Sequence, residues 1–479
     1  MKRELIIDCK SGGMRAAVLE DGELVELHVE NGMPESQTET LYYGRVQAVR
    51  PSVHAAFVEI GQELNAFLPL EEGMKLKSGD MLIVQGVAKQ TTQSKGLRVS
   101  ARVNLTGRGL VLIPGETGVH ISKKVKNPEM RARLAEIGRE ICPPECAVII
   151  RTASENVTAE QLKAEAEILL STWQDACQRA KGMVKPGILV KPEPLPMRLM
   201  RDLAGNLERV VINDREDFEA LCQAQKDGRL PQETRIEYAD EQKTLLFDAF
   251  NLETSIDKAL KNRVWLPCGG YLVFDFTEAL TVIDVNSGKM IAGKSMEETV
   301  LRVNLEAVKE LARQIRLRDV GGIIVVDLID MEKEKNRQAV LAALKEAAKS
   351  DRMPVKVEEI TRLGLLEMTR KRKGEQLRRA LRTTCSVCSG SGELLGEEEI
   401  ARRALRQARR MALAGQRGPF VIGLAEKAAK VLETMPQPDN CPPIYALASG
   451  GYREKFSVMQ PGEGEIPEQA VALQAGKKP

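Results

Sequence analysis

Apolar and polar positions alternate in short stretches over the first part of the chain. Leu5-Ile6-Ile7-Asp8 and Arg15-Ala16-Ala17-Val18-Leu19-Glu20 flank Gly12-Gly13, and Asp21-Gly22 follows, which predicts a hairpin. The pattern continues through Gly44-Arg45-Val46, Ala55-Ala56-Phe57-Val58-Glu59-Ile60, Ala66-Phe67-Leu68 and Met81-Leu82-Ile83-Val84, with turn signals such as Ser78-Gly79-Asp80 between them. Several short strands within so few residues predict a small barrel. Thr158-Ala159-Glu160-Gln161 is a capping-box pattern that opens a periodic helix through Leu162, Ile168, Leu169 and Trp173. Pro186, Pro192, Pro194 and Pro196 mark a domain edge.

After residue 270 the period changes. Tyr271-Leu272-Val273-Phe274 and Leu280-Thr281-Val282-Ile283 predict strands. Ser295, with Glu298 three residues on, caps a long helix whose Leu301, Leu305, Val308, Ala312 and Ile315 share a face. Gly321-Gly322 ends it, Ile323-Ile324-Val325-Val326 is a buried strand, a helix covers Ala339 to Ala348, and Val355-Lys356-Val357 is another strand. Strands alternating with helices predict an α/β layer. From Pro461 the chain is expected to fray.

Composition narrows the function classes. With 479 residues, about three domains are expected at roughly 150 residues each. Lys plus Arg number 70 against 68 Asp plus Glu, a formal charge of +2, which excludes a globally basic coat but not a local basic groove. No run of about 18 apolar residues offers a membrane span. The opening Met1-Lys2-Arg3-Glu4 lacks a signal peptide's apolar core. Nine scattered cysteines, an odd number, do not form a disulfide framework, so a reducing cytoplasm is the simplest setting. The three histidines, His28, His54 and His120, stand in no catalytic context, which leaves carboxylates, Cys or Lys for any catalysis.

Asp284 ends one apolar strand and Asp327 another, one strand–helix–strand unit later. If those strands are parallel neighbours, both carboxylates emerge at one sheet edge, beside Asn286. Two carboxylates suit Mg²⁺, which keeps most of its waters. The plain alternative is that each Asp caps a loop or helix, and for Asp330 an N-cap role is expected. Cys385-Ser386-Val387-Cys388 before Ser389-Gly390-Ser391-Gly392 has the form of half a zinc knuckle. Its missing ligands come from a second copy, or the pair is redox-active or structural. Cys142 and Cys146 are the internal rival. Arg362, Arg370, Lys371, Arg372, Lys373, Arg378, Arg379 and Arg382 face only Glu367 and Glu375, a run that suits a phosphate backbone or a solvated helix face. Phe57 and Phe67, with Lys95 in a later turn, suit base stacking on the barrel, although burial in its core is the default for such Phe.

Several long segments resemble the ribonuclease E/G family. They are Thr277-Glu278-Ala279-Leu280-Thr281-Val282-Ile283-Asp284-Val285-Asn286-Ser287-Gly288, Asn304-Leu305-Glu306-Ala307, the stretch from Arg316-Leu317-Arg318-Asp319 to Asp327-Leu328-Ile329-Asp330-Met331, and Arg362-Leu363-Gly364-Leu365-Leu366-Glu367-Met368-Thr369-Arg370. The likeness runs from the N-terminus to about residue 395, more weakly beyond, and, without a long tail, fits a shorter member. It implies an α/β multidomain protein: an RNase H-like core in two parts (1–35 and 197–259), an inserted S1-type OB-fold RNA-binding domain (36–108), a 5′-sensor domain (109–196), a DNase I-like catalytic subdomain (260–382), a zinc link (383–395) and a small C-terminal oligomerisation domain (396–479). It implies that Asp284 and Asp327 hold Mg²⁺ with help from Asn286, that Phe57, Phe67 and Lys95 hold RNA, and that Gly107, Val111, Arg151 and Thr152 receive a 5′-monophosphate. A guanidinium fork suits such a terminal phosphate. Cys385 and Cys388 of two chains would share Zn²⁺ in a homodimer or homotetramer, although Ser386 replaces the family's usual Pro. The implied activity is Mg²⁺-dependent hydrolysis of single-stranded RNA, rRNA precursors or mRNA, stimulated by 5′-monophosphate ends. The alternatives are a non-catalytic RNA-binding protein and a metal-dependent DNase.

Overall fold

The computed structural model describes residues 2–30, 38–71, 73–88, 96–203, 207–241, 244–288, 295–371, 376–449, 455–461 and 466–474. The chain forms two compact units, Met1–Leu381 and Arg382–Pro479. The architecture is α/β and multidomain, as the alternation of periods predicts.

In the first unit, Arg3–Asp8, Met14–Glu20 and Glu23–Glu30 form an antiparallel meander. Leu207–Ile212 then adds in parallel to Arg3–Asp8, and Arg235–Tyr238 to Leu207–Ile212. Everything between Glu30 and Leu207 is therefore inserted into one five-stranded sheet. The insert begins with the predicted barrel. Leu41–Arg50, Ala55–Glu59, Ala66–Pro69, Arg98–Ser100 and Met81–Ala88 pair in that order, and Leu41–Arg50 closes back on Met81–Ala88. Its core is Val46, Ala56, Val58, Ala66, Leu68 and Val84. Gly187–Val190, beyond the expected barrel, joins Leu41–Arg50 as an extra strand.

The second part of the insert is a four-stranded sheet from Leu105 to Ile150, covered by helices Pro128–Ile141 and Ala159–Gly182. The capping box at Thr158 is present, its hydroxyl accepting from Gln161 N–H and the Gln161 side chain from Thr158 N–H.

The third sheet runs Arg263–Trp265, Tyr271–Phe276, Leu280–Asn286, Gly322–Asp327, Leu365–Arg370, Val355–Ile360. Strict alternation puts Leu272, Phe274, Ile283, Val285, Ile324, Val326, Leu366 and Met368 on one face, under helices Met296–Leu317 and Glu334–Ala347. The opposite face carries the polar residues. The long helix is capped by Ser295 Oγ as expected, but its buried stripe centres on Val303, Ala307, Val308, Leu311 and Ile315, leaving Leu301 and Leu305 at its margin. The next helix begins at Glu334 with Lys333 at its N-cap, so Asp330 is not the cap.

The second unit places Ser457–Met459, Phe420–Leu424, Ile444–Ala448 and Val471–Ala472 in a four-stranded sheet, packed by Glu397–Leu413 and Glu426–Thr434. No helix among the described residues is long and apolar enough to cross a membrane.

Candidate active site

Leu280–Asn286 and Gly322–Asp327 are parallel neighbours, and Asp284 is the register partner of Asp327. The two carboxylates therefore stand side by side at one end of the pair, on the face away from the core, Asp284 half-buried and Asp327 exposed. Asn286, two residues on and on the same face, donates from Nδ2 to Asp284 Oδ2 at 2.6 Å. That bond fixes the Asp284 rotamer and leaves its other oxygen open.

Three polar residues of the long helix hold the loops around this edge. Asn304 is fully buried; its Nδ2 donates to Ile329 O at 2.8 Å and its Oδ1 accepts from Ile329 N–H at 3.2 Å, pinning the chain two residues past Asp327. Two residues on, Glu306 accepts from Cys268 N–H at 2.8 Å and fixes the turn beside Asn286. Glu297 accepts from Glu332 and Lys333 N–H and from Asn336. These backbone bonds, with the Asn336 contact, hold its carboxyl below the usual range. The spacing of Asn304 and Glu306 in their motif is the signal for these supports, but pattern alone gave them no role. Beside the loop after Asp327 lies a cleft of ≈ 380 Å³ lined by Asp330, Glu334, Arg337, Thr361 and Arg362, among others.

The basic run divides. Arg370 is buried, its Nε donating to Asp351 at 2.7 Å and its Nη1 to Asp319 at 2.6 Å, so it is structural rather than part of an RNA track. Arg362 is exposed on a turn, and Arg378 stacks on Phe276 at 5.5 Å. Arg372 and Lys373 lie outside the described residues.

Phe57 and Phe67 are cross-strand partners with ring centroids 6.1 Å apart, edge to face. Both are half-buried on the outside of the barrel and not in its core, where Phe of a small barrel is ordinarily expected. Lys95 lies outside the described residues. In the sheet that follows the barrel, Arg151 Nη1 donates to Gly107 O at 2.6 Å and Nη2 to Asp202 at 3.0 Å. Val111 pairs with Thr106 and Ile149 there, and Thr152 opens the turn after Arg151. The half-buried Glu165 carboxylate accepts from Arg108 and Gly109 N–H; desolvation pushes its pKa up, and those bonds and the nearby Arg151 only partly oppose this. The three predicted groups thus sit on three different sheets.

Cys385 is exposed and Cys388 half-buried in one turn. Backbone N–H groups of Gly392 and Gly390, then Cys385, hold the Cys388 thiol below its ordinary value. Burial instead pushes the Cys142 and Cys146 thiols up, which makes that rival pair poorer thiolate donors. Among the described residues no cluster of three or more His, Cys, Asp or Glu has metal-binding geometry. Both candidate centres are two-ligand sites: a hard-oxygen pair that suits a largely hydrated Mg²⁺, and a thiolate pair that suits half of a zinc tetrahedron.

Residues 104–373 match the model of the Ribonuclease E/G family. The chain is 32% identical over 455 residues to ribonuclease G of Escherichia coli, covering 90% of this chain and 93% of that protein. It is 34% identical over 428 residues to ribonuclease G of Haemophilus influenzae, covering 84% and 86%. Against ribonuclease E of a Nostoc species the identity is 34% over 404 residues, covering 80% of this chain but 58% of that longer protein.

Proposed function

The chain belongs to the ribonuclease E/G family and is an endoribonuclease, and from that premise we propose that it hydrolyses single-stranded RNA at Asp284 and Asp327 with Mg²⁺, preferring 5′-monophosphorylated substrates. The observation that carries this reading is the register pairing of Asp284 with Asp327 on an open sheet face, with Asn286 bonded to Asp284. When bound there, the metal supplies a more acidic water and offsets charge developing on the phosphodiester. The protein's part is to hold two carboxylates side by side, to keep Asp284 oriented through Asn286, and to brace the flanking loops through Asn304 and Glu306. In-line attack by water leaves 5′-phosphate and 3′-hydroxyl ends.

The finer parts of the proposal rest on the same resemblance. The five-stranded sheet made from both sides of the insert is the RNase H-like core, the barrel the S1-type module, and the Leu105–Ile150 sheet the 5′ sensor. Phe57 and Phe67 support RNA binding because they stand outside the barrel as a paired aromatic surface. Gly107, Val111, Arg151 and Thr152 receive the terminal phosphate. Cys385 and Cys388 of two subunits share Zn²⁺. The setting is the cytoplasm, in rRNA processing, mRNA decay or both.

The test is Asp284→Asn and Asp327→Asn separately, assayed on 5′-monophosphorylated RNA and on DNA of the same sequence. Each variant is expected to lose cleavage or to need far more Mg²⁺ while still binding RNA, since each carboxylate serves the metal and not the strand. Wild-type rates in either at ordinary Mg²⁺ overturn the assignment, and equal cleavage of DNA removes the substrate class.

A further inference from the structure

Three side chains with no role in the site above share its sheet face. Arg263 and Trp265 are two residues apart on the edge strand, so they point to one side, while Val264 between them packs on the core. Trp265 is the register partner of Tyr271, and Tyr271 is the register partner of Asn286. The row Trp265–Tyr271–Asn286 thus runs beside the row Arg263–Val273–Asp284–Asp327. The Trp265 and Tyr271 rings lie 5.1 Å apart at 60°. The Arg263 guanidinium sits 4.5 Å from the Tyr271 ring centre and 5.8 Å from that of Trp265. Trp265 is 62% exposed. No described residue hydrogen-bonds or ion-pairs with the Arg263 guanidinium.

The edge hairpin is held without these rings. Leu266 N–H donates to Gly270 O at 2.8 Å, and Glu306 fixes Cys268. A Cβ on Gly270 would lie 2.8 Å from Asn286 O, so the turn is seated against the strand that carries Asp284. The backbone that carries the aromatic pair is therefore seated against the strand of the carboxylates. Adjacent strands are about 4.8 Å apart, which puts Trp265 about 10 Å from the Asn286 strand. A strand of RNA lying across this face with one phosphate at Asp284 and Asp327 brings a neighbouring base over the rings.

We propose that Arg263, Trp265 and Tyr271 form a stacking shelf that positions a nucleotide next to the cut bond, Trp265 taking the base and Arg263 a phosphate. The inference rests on the reading of Asp284 and Asp327 as the cleavage centre. Stacking on a ring is tolerant of sequence, because every base has a π face, so the shelf holds single-stranded RNA without specifying a base. The guanidinium spends its charge on the ring faces in the free protein and keeps its N–H groups for phosphate oxygens.

The protein's two tryptophans make the test direct, because Trp173 packs, half-buried, against the core of the inserted domain. In a Trp173→Phe, Asp284→Asn protein, emission comes from Trp265 alone. Titration with single-stranded oligoadenylate of about ten nucleotides should quench it saturably. In steady-state cleavage, Trp265→Ala should raise KM about 5- to 100-fold with kcat held within about threefold, and Trp265→Phe should recover most of the loss. Emission indifferent to RNA, or a wild-type KM in Trp265→Ala, overturns the shelf. If Asp284→Asn is inactive when that happens, the cleavage centre survives and the shelf alone falls; if Asp284→Asn cleaves normally, it is the centre that fails.

Discussion

On the proposed function, Arg151 is a side chain set in place before a phosphate arrives. Its two terminal nitrogens are already directed, one at Gly107 O and one at Asp202. A guanidinium so fixed loses little freedom on meeting a phosphate. Arg151→Ala is expected to slow cleavage of 5′-monophosphorylated RNA toward the rate of 5′-hydroxyl RNA and to leave the latter little changed. Equal losses on both substrates would assign Arg151 to folding. Glu26 is a second such residue, with a structural task. Burial opposes its charge, but His28, Arg352 and Arg316 outweigh this and hold its carboxyl well below the usual range. A carboxyl depressed by folding stabilises above its unfolded value, near 4.5, and that contribution is lost as pH falls further toward the folded value. Glu26→Gln is therefore expected to cost about 3 kcal/mol at neutral pH, with the gap to wild type closing below pH ~4.5 in urea melts. At this scale the sequence was legible where period and chemistry agreed. Asp284, Asn286 and Asp327 fall at strand ends on one face, and they meet. Phe57 was open to the same logic, since it shares its parity with Glu59 and not with Ala56 and Val58. Arg370 was not legible, because its partners Asp319 and Asp351 lie 51 and 19 residues away.

The Met296–Leu317 helix does more than cover a sheet. Its apolar stripe fills the core, while Glu297 and Asn304 reach the connection after Asp327 and Glu306 reaches the turn at Cys268, the two loops around the carboxylates. Asn304→Ala leaves both the N–H and the C=O of Ile329 without this partner. It is expected to destabilise the protein by about 1–3 kcal/mol and to lower kcat more than it changes KM. Thermal melts and steady-state kinetics on the same preparation check both. The Ser295 cap, the Thr158 capping box and the strand alternation were readable because each is local. The helix at Glu334 began earlier than its apolar residues suggested, since its first turn is charged. Arg263 and Trp265 were visible as residues two apart, but only the packing of Val264 decided which way they face.

In the whole molecule, the odd feature of the second unit is a thiol pair with no further ligands in its turn. If two copies complete it, zinc is expected at about one per two chains. Cys385→Ser with Cys388→Ser should lose the metal and shift sedimentation toward monomer. One zinc per chain, or a fully dimeric variant without metal, would end the sharing. The order of strands across the first sheet was beyond local pattern altogether, because Arg3–Asp8 takes its parallel neighbour from Leu207–Ile212.

That last pairing also sets a timetable. During synthesis the first meander emerges early, but the neighbour it needs on its open side follows only after the barrel and the next sheet have been made. At about 5–20 residues per second, the wait is on the order of 10–40 s. Through that interval the Arg3–Asp8 strand presents an unpaired, apolar edge of the kind on which other chains can add. The nascent chain thus carries this open edge until Leu207–Ile212 emerges, and a ribosome pausing inside the insert prolongs the exposure.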